Sequence, residues 1–278
     1  MTDSERPSEG APVSRGSGAS ALPAWAAWPV KALLVLAGLA AAAVASVLIL
    51  VAIALAVAYP NLPEISGLTD YRPKLPMRIF SADEVLLGEF GEERRSFAPI
   101  AEIPKVMQQA VLAIEDARFY EHSGVDYKGV LRAGLAHLSE SRSQGASTIT
   151  MQVARNFYLS TEKTFTRKIY EVLLALKIES LLSKQQILEV YMNQIFLGQR
   201  AYGFAAASEI YFGKPLKDVS IAEAAMLAGL PKAPSAYNPI VNPKRATERQ
   251  RYIIDRMYDN AFITEQQRDD ALAQVLRY

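Results

Sequence analysis

Cysteine is absent from these 278 residues, so neither a disulfide framework nor a thiolate metal site is available. Histidine is nearly absent. His122 and His137 stand fifteen residues apart with no obvious third ligand, which gives no basis for a His-based metal site. Charge of one sign is missing as well: Lys plus Arg number 30 against 29 Asp plus Glu, a net of +1. No global field therefore steers the chain toward nucleic acid, and no nucleic-acid partner is expected. No internal repeat and no glycine-rich phosphate loop is visible.

What is abundant is apolar surface, half of all residues. From Ala32 to Tyr59 the chain reads ALLVLAGLAAAAVASVLILVAIALAVAY without a charge. At about 1.5 Å per residue this run exceeds the roughly 30 Å hydrocarbon core of a bilayer. Trp25 and Trp28 precede it and Tyr59 closes it, as interfacial aromatics do. Ala56-Val57-Ala58 resembles a signal-peptidase site, but a signal peptide's apolar region is only about 7–15 residues. An anchor is the better reading. Arg15 and Lys31 before the span balance Arg72 and Lys74 after it, so flanking charge does not choose the orientation. The Ser-, Gly- and Pro-rich start of the chain reads as a disordered tail.

Beyond the span, MRIFSADEVLLGEF (77–90) suggests a hairpin turning at Ser81-Ala82-Asp83. After it the pattern is helical almost to the end. Gly145-Ala146-Ser147 reads as a turn with Ser147 as the N-cap of the next helix. Ser183 to Gln186 has the form of a capping box, opening a helix that Gly198 closes. Thr264 to Gln267 repeats the form, and Pro231, Pro234 and Pro239 mark an irregular crossing between them. The soluble part reads as one mostly helical domain.

Three constellations carry candidate chemistry. On a helix from Ile103, the residues Ile103, Val106, Met107, Ala110, Val111 and Ile114 share an apolar stripe. Glu115 falls on its shoulder and Asp116 on the far, polar side. Desolvation would raise the Glu115 pKa, as a general base requires; the plainer reading is a Glu115 ion pair at a helix end. In SQGASTITMQVARNF (143–157), Ile149, Val153 and Phe157 form a buried side. Thr148, Gln152 and Arg155 form a polar stripe. A capped helix start followed by a cation suits an anionic phosphate, although an ordinary amphipathic helix has the same pattern. In RKIYEVLLALKIESLL (167–182), Arg167 and Glu171 enter a line completed by Leu174, Ile178 and Leu182. An Arg167–Glu171 salt bridge is the simple explanation, but Arg before Glu is the less favourable order for helix support. Lys163 and Lys168 add cations nearby, and His122 reads as a hydrogen-bonding residue that fixes the loop after Glu115.

The run EDARFYEHSGVD resembles the first signature of the family 51 peptidoglycan glycosyltransferases, ED-x-x-F-x-x-H-x-G. QGASTITMQVARN is similar to the second, RKIYE to the third, and ILEVYMNQIFLG with AYGFAAASEIYFGK to the remaining two. The five motifs stand in the family's order. The resemblance implies a mainly α, lysozyme-like catalytic lobe with a small membrane-proximal jaw, preceded by one transmembrane helix. It divides the chain into a tail (1–28), an anchor (29–59), a glycosyltransferase domain (60–240) and a helical linker (241–278).

It further implies polymerisation of lipid II into β-1,4-linked glycan with inversion and release of undecaprenyl pyrophosphate. Glu115 would be the general base. Ser147, Thr148, Gln152, Arg155, Lys163, Arg167 and Lys168 would hold the pyrophosphate, and Glu171 would orient that basic group or hold a divalent cation such as Mg or Mn. Phe119 would either shape the cleft or serve the core, and Glu189 and Asn193 look structural. Met151 stands where the family often has a glutamine, so only Gln152 is carried over.

Lipid II, the lipid-linked glycan, the membrane and cell-wall assembly proteins are the implied partners. The implied location is the bacterial cytoplasmic membrane, single-pass, with the catalytic domain on the extracytoplasmic side. Ser160-x-x-Lys163 fits a penicillin-sensitive serine motif by pattern, but no K-T-G follows anywhere. The 241–278 stretch resembles the linker of bifunctional relatives, so the chain reads as the front part of a longer protein. Two other readings compete: a lysozyme-like hydrolase or lytic enzyme, and a non-catalytic membrane scaffold.

Overall fold

In a computed structural model, residues 24–69, 77–83, 86–91, 93–129, 147–159 and 165–278 are described. The tail up to residue 23, Arg72 and Lys74, His137, the Gly145-Ala146 turn and the 160–164 segment with Lys163 lie outside the described residues. The chain divides into two compact units, one ending at Val57 and one spanning Ala58–Tyr278.

The first unit is the N-terminal helix α1 (Ala24–Ala58), which begins within the expected tail and runs one residue past the division. It is the one helix among the described residues long and apolar enough to cross a membrane. Leu33, Leu36, Val44, Val47, Leu48 and Leu50 all stand exposed along it. An exposed apolar surface of this kind fits a hydrocarbon environment.

The second unit is mainly α, as expected. After a helical turn, α2 (Ser66–Thr69), β1 (Met77–Phe80) and β2 (Leu86–Phe90) form the anticipated antiparallel hairpin. Met77 faces Phe90 and Ile79 faces Gly88, with a register shift between Ile79 and Phe80. The short strands β3 (Arg94–Arg95) and β4 (Ala201–Tyr202) pair in parallel. Helix α3 (Lys105–Glu115) starts after Pro104, whose ring fixes an extended cap, and buries Met107, Ala110, Val111, Leu112 and Ala113. Helix α4 (Ile149–Tyr158) starts one residue later than the Ser147 cap implies. Thr148 is the cap, and its side chain accepts from the Met151 N–H.

Helix α5 (Phe165–Leu181) is followed by α6 (Lys184–Gln194), opened by the expected Ser183–Gln186 capping box. That helix ends at Ile195, which is extended, and not at Gly198. Gly198 serves a later turn at φ +83°. Gly203, also at φ +83°, admits α7 (Phe204–Phe212); a Cβ there would lie 2.8 Å from the Asn193 carbonyl oxygen. Asn193 itself bridges outward: its Oδ1 accepts from the Ala98 N–H and its Nδ2 donates to the Ala98 carbonyl. Glu189 accepts from the Ile100 N–H. Both are structural, as their sequence context suggested.

Helices α8 (Ile221–Ala228), α9 (Pro243–Asp259) and α10 (Glu265–Ala273) complete the unit, α8 and α10 each opened by a capping box. Residues 241–278, expected to be a linker, pack into the same core. Ala246, Ile253, Ile254 and Met257 are buried, and Gln250 donates to the Ala222 carbonyl at 3.0 Å. The amphipathic face of α9 lies on α3 and α8, while α4 packs on α5 and α6. These two helical groups share one continuous apolar cluster, and the residues with candidate chemistry sit where they meet.

Candidate active site

The C-terminal end of α3 delivers Glu115, and the chain then leaves the helix at once. Asp116 caps α3 at φ −161°, ψ 76°, so its side chain does not continue the helical wheel to the polar side. It is buried. Its carboxylate faces His122 Nε2 at 2.9 and 3.0 Å and accepts the Ile149 N–H at 3.1 Å. An anion at a helix N-terminus satisfies orphan donors and meets the positive end of the dipole. Asp116 therefore ties the end of α3 to the start of α4. His122 fixes this loop as expected, and Thr148 adds a second tie, its hydroxyl donating to the Gly124 carbonyl at 2.6 Å.

Glu115 is half-buried and accepts from Gln152 Nε2 at 2.8 Å. Burial pushes its carboxyl pKa up, against the Gln152 hydrogen bond and the pull of Arg249, Arg155 and Lys232. Among the described residues no salt bridge holds it. One turn beyond Gln152, Arg155 lies 4.0 Å from Glu171, which is 1% exposed. Arg167 and Lys168 approach the same carboxylate at 3.3 and 2.9 Å. The Arg167–Glu171 pair is thus real but is one part of a cluster with three cations around one carboxylate. Lys168 also donates to the Ser147 hydroxyl at 2.8 Å.

A cleft of about 510 Å³ opens beside this line. Gln152, Arg155 and Arg167 reach it from one side, and Phe196, Tyr202, Pro231 and Pro234 from another. Helix α4 is the physical link. Through Gln152 it touches the half-buried acid, and through Arg155 it touches the cationic cluster.

Glu115, Phe119, Ser147, Thr148, Lys168 and Glu171 do not themselves line the cleft, and two of them, Phe119 and Thr148, are turned into the interior. Phe119 is 1% exposed, packed edge-on to Tyr120 with Lys184 Nζ 4.3 Å above its ring, and serves the core. Thr148 is buried with its hydroxyl engaged as donor and cap. Buried Met151, at the departure from the family pattern, adds packing where a glutamine would add an amide. Asn156, Tyr191, Lys232 and Arg249 escaped the sequence reading. Tyr191 hides within the apolar run ILEVYMNQIFLG, and the others lie outside the stripes or beyond the expected domain edge.

The described residues do not fit a divalent ion held by the protein alone. Glu171 is already surrounded by cations, and the described residues contain no group of three or more His, Asp or Glu side chains able to share a metal.

A family model described as Transglycosylase matches residues 83–258, reaching through most of α9. Penicillin-binding protein 1A of Neisseria gonorrhoeae is 60% identical over 230 residues, 82% of this chain and 29% of that protein. A putative transglycosylase of Cupriavidus necator is 52% identical over 229 residues, 82% of this chain and 90% of that one. The crystal structure of penicillin-binding protein 1A from Haemophilus influenzae is 30% identical with a TM-score of 0.42, covering 73% of this chain and 21% of that one. The chain belongs to the transglycosylase family. It spans less than a third of the length of the Neisseria relatives.

Proposed function

We propose that this chain is a peptidoglycan glycosyltransferase that polymerises lipid II. The observation that carries the reading is the pairing of a half-buried acid with a cationic cluster through a single helix turn, Gln152 to Arg155, beside one cleft. In this reading Glu115 takes the proton from the 4-hydroxyl of the acceptor sugar. The freed oxygen attacks the donor's anomeric carbon from the face opposite the leaving group, and the bond from that carbon to the pyrophosphate oxygen breaks. One glycosidic bond forms with inversion, and the lipid pyrophosphate leaves as an anion. Its growing charge is met by Arg155, Arg167 and Lys168, held in place beforehand by Glu171. Preorganised charge aimed at a developing anion is generally the largest single catalytic contribution.

Glu171 acts here as an anchor for cations and not as a metal ligand. Titrating Mn into the protein without substrate should accordingly give no saturable heat; a stoichiometric site would restore the metal role.

Helix α1 anchors the catalytic unit on the extracytoplasmic side of the cytoplasmic membrane, where a prenyl-tailed substrate is reached by a two-dimensional search. A hydrolase would expel a sugar alcohol, for which three cations around the departing group have little use. The deciding experiment is incubation of the purified chain with labelled lipid II. Polymer and released lipid pyrophosphate support the proposal, shortened glycan supports the hydrolase, and no turnover with retained binding supports a scaffold.

A further inference from the structure

The Glu115 network has a second, buried end on α6. Tyr191 is 1% exposed, and its hydroxyl lies 3.5 Å from Gln152 Oε1. The same amide donates from Nε2 to Glu115 at 2.8 Å. An amide has one donor end and one acceptor end, so it gives Glu115 a hydrogen in one orientation and opposes it with an oxygen in the other. While Glu115 is a carboxylate it selects the donor end by itself. Once Glu115 has taken up a proton, the new O–H attracts the amide oxygen, and an unrestrained Gln152 would turn over. A separation of 3.5 Å is long for this bond. Both groups are nevertheless buried, and a buried hydroxyl left without a partner is costly.

We propose that Tyr191 is a positioning residue for the reaction, acting through Gln152 to keep the amide's donor end on Glu115 in both of that acid's protonation states. The inference rests on Glu115 being the base. The charged groups acting on Glu115 are Arg249 from α9, Arg155 from α4 and Lys232 from the segment before α9, and those acting on Tyr191 are Glu115, Arg155 and Asp116. All of them remain when only the Tyr191 hydroxyl is removed.

The test uses the full chain and labelled lipid II, with kcat and KM followed across pH for Tyr191→Phe, Gln152→Met, the double variant and Glu115→Gln. With the amide free to turn, the protonated acid gains an acceptor for its O–H, which favours the protonated form, so the acid limb of kcat/KM should move to higher pH in Tyr191→Phe. We expect kcat to fall about 3- to 10-fold, the scale of one net hydrogen bond, with KM nearly unchanged. In the Gln152→Met background, removing the hydroxyl should add no further shift. A folded Tyr191→Phe with an unmoved limb overturns the proposal, as does an additive shift in the double variant. Should Tyr191→Phe fail to fold, 3-fluorotyrosine at position 191 keeps the shape and strengthens the donor. It should move the limb the opposite way, and no movement would again refute the idea. Full turnover in Glu115→Gln would instead sink the base assignment; an inactive Glu115→Gln beside an unmoved Tyr191→Phe limb sinks only the positioning role.

Discussion

Glu115 and Glu171 are reached from the same turn of α4, one through Gln152 and the other through Arg155. Burial raises the Glu115 pKa, so the folded protein holds that proton to higher pH than the unfolded chain does. The folded state then binds more protons than the unfolded state, and this group's contribution to stability is lost as pH rises through its folded value. At neutral pH Glu115→Gln should leave Tm unchanged or higher while polymerisation falls by about 10²–10⁴; thermal melts beside lipid II turnover check both halves. Glu171 is set among three cations. Removing it takes one ion pair from Arg167, which is largely buried, while Lys168 and Arg155 can turn to solvent. Glu171→Ala should therefore cost about 2–3 kcal/mol, below the roughly 3–5 of a wholly buried pair. Donor use should fall with it, read by urea melts and by KM. The stripe that placed Arg167 and Glu171 together was visible in the sequence at i, i+4, whereas the arrival of Arg155 from another helix was not.

Among the elements, the junction of α3 and α4 matters most. Asp116 was misplaced by the helical wheel because the wheel holds only while the helix does, and α3 stops at Glu115. The one-residue difference between Ser147 and Thr148 has a similar origin, since capping propensity does not distinguish two neighbouring hydroxyls. Thr148 wins because its side chain also reaches the Gly124 carbonyl. Asp116→Ala should leave the Ile149 N–H and His122 without their carboxylate and cost about 2–3 kcal/mol. Amide exchange in the first turn of α4 should accelerate before the rest of the unit is affected. Uniform acceleration everywhere would argue against a local clamp. The hairpin and two of the three capping boxes were legible because each is set by residues within a few positions of one another.

At the scale of the whole molecule, the unit Ala58–Tyr278 has its own core, including residues 241–278. A variant beginning at Ala58 should fold with nearly the same Tm as the full chain. It should polymerise lipid II in vesicles more slowly while differing little in detergent, because only the membrane search is removed. A large drop in Tm would show that α1 supports the fold itself.

Hydropathy over a single stretch is enough to mark α1, periodicity is enough to mark the helices, and the order of five short motifs is enough to mark the family. All are properties of neighbours along the chain and survive in the bare sequence. Which polar groups lose water, and which partner each then finds, depends on helices far apart in sequence. Asp116 with Ile149, Glu115 with Gln152 and Tyr191, and Glu171 with Arg155 were decided only by packing, because desolvation and pairing act through space.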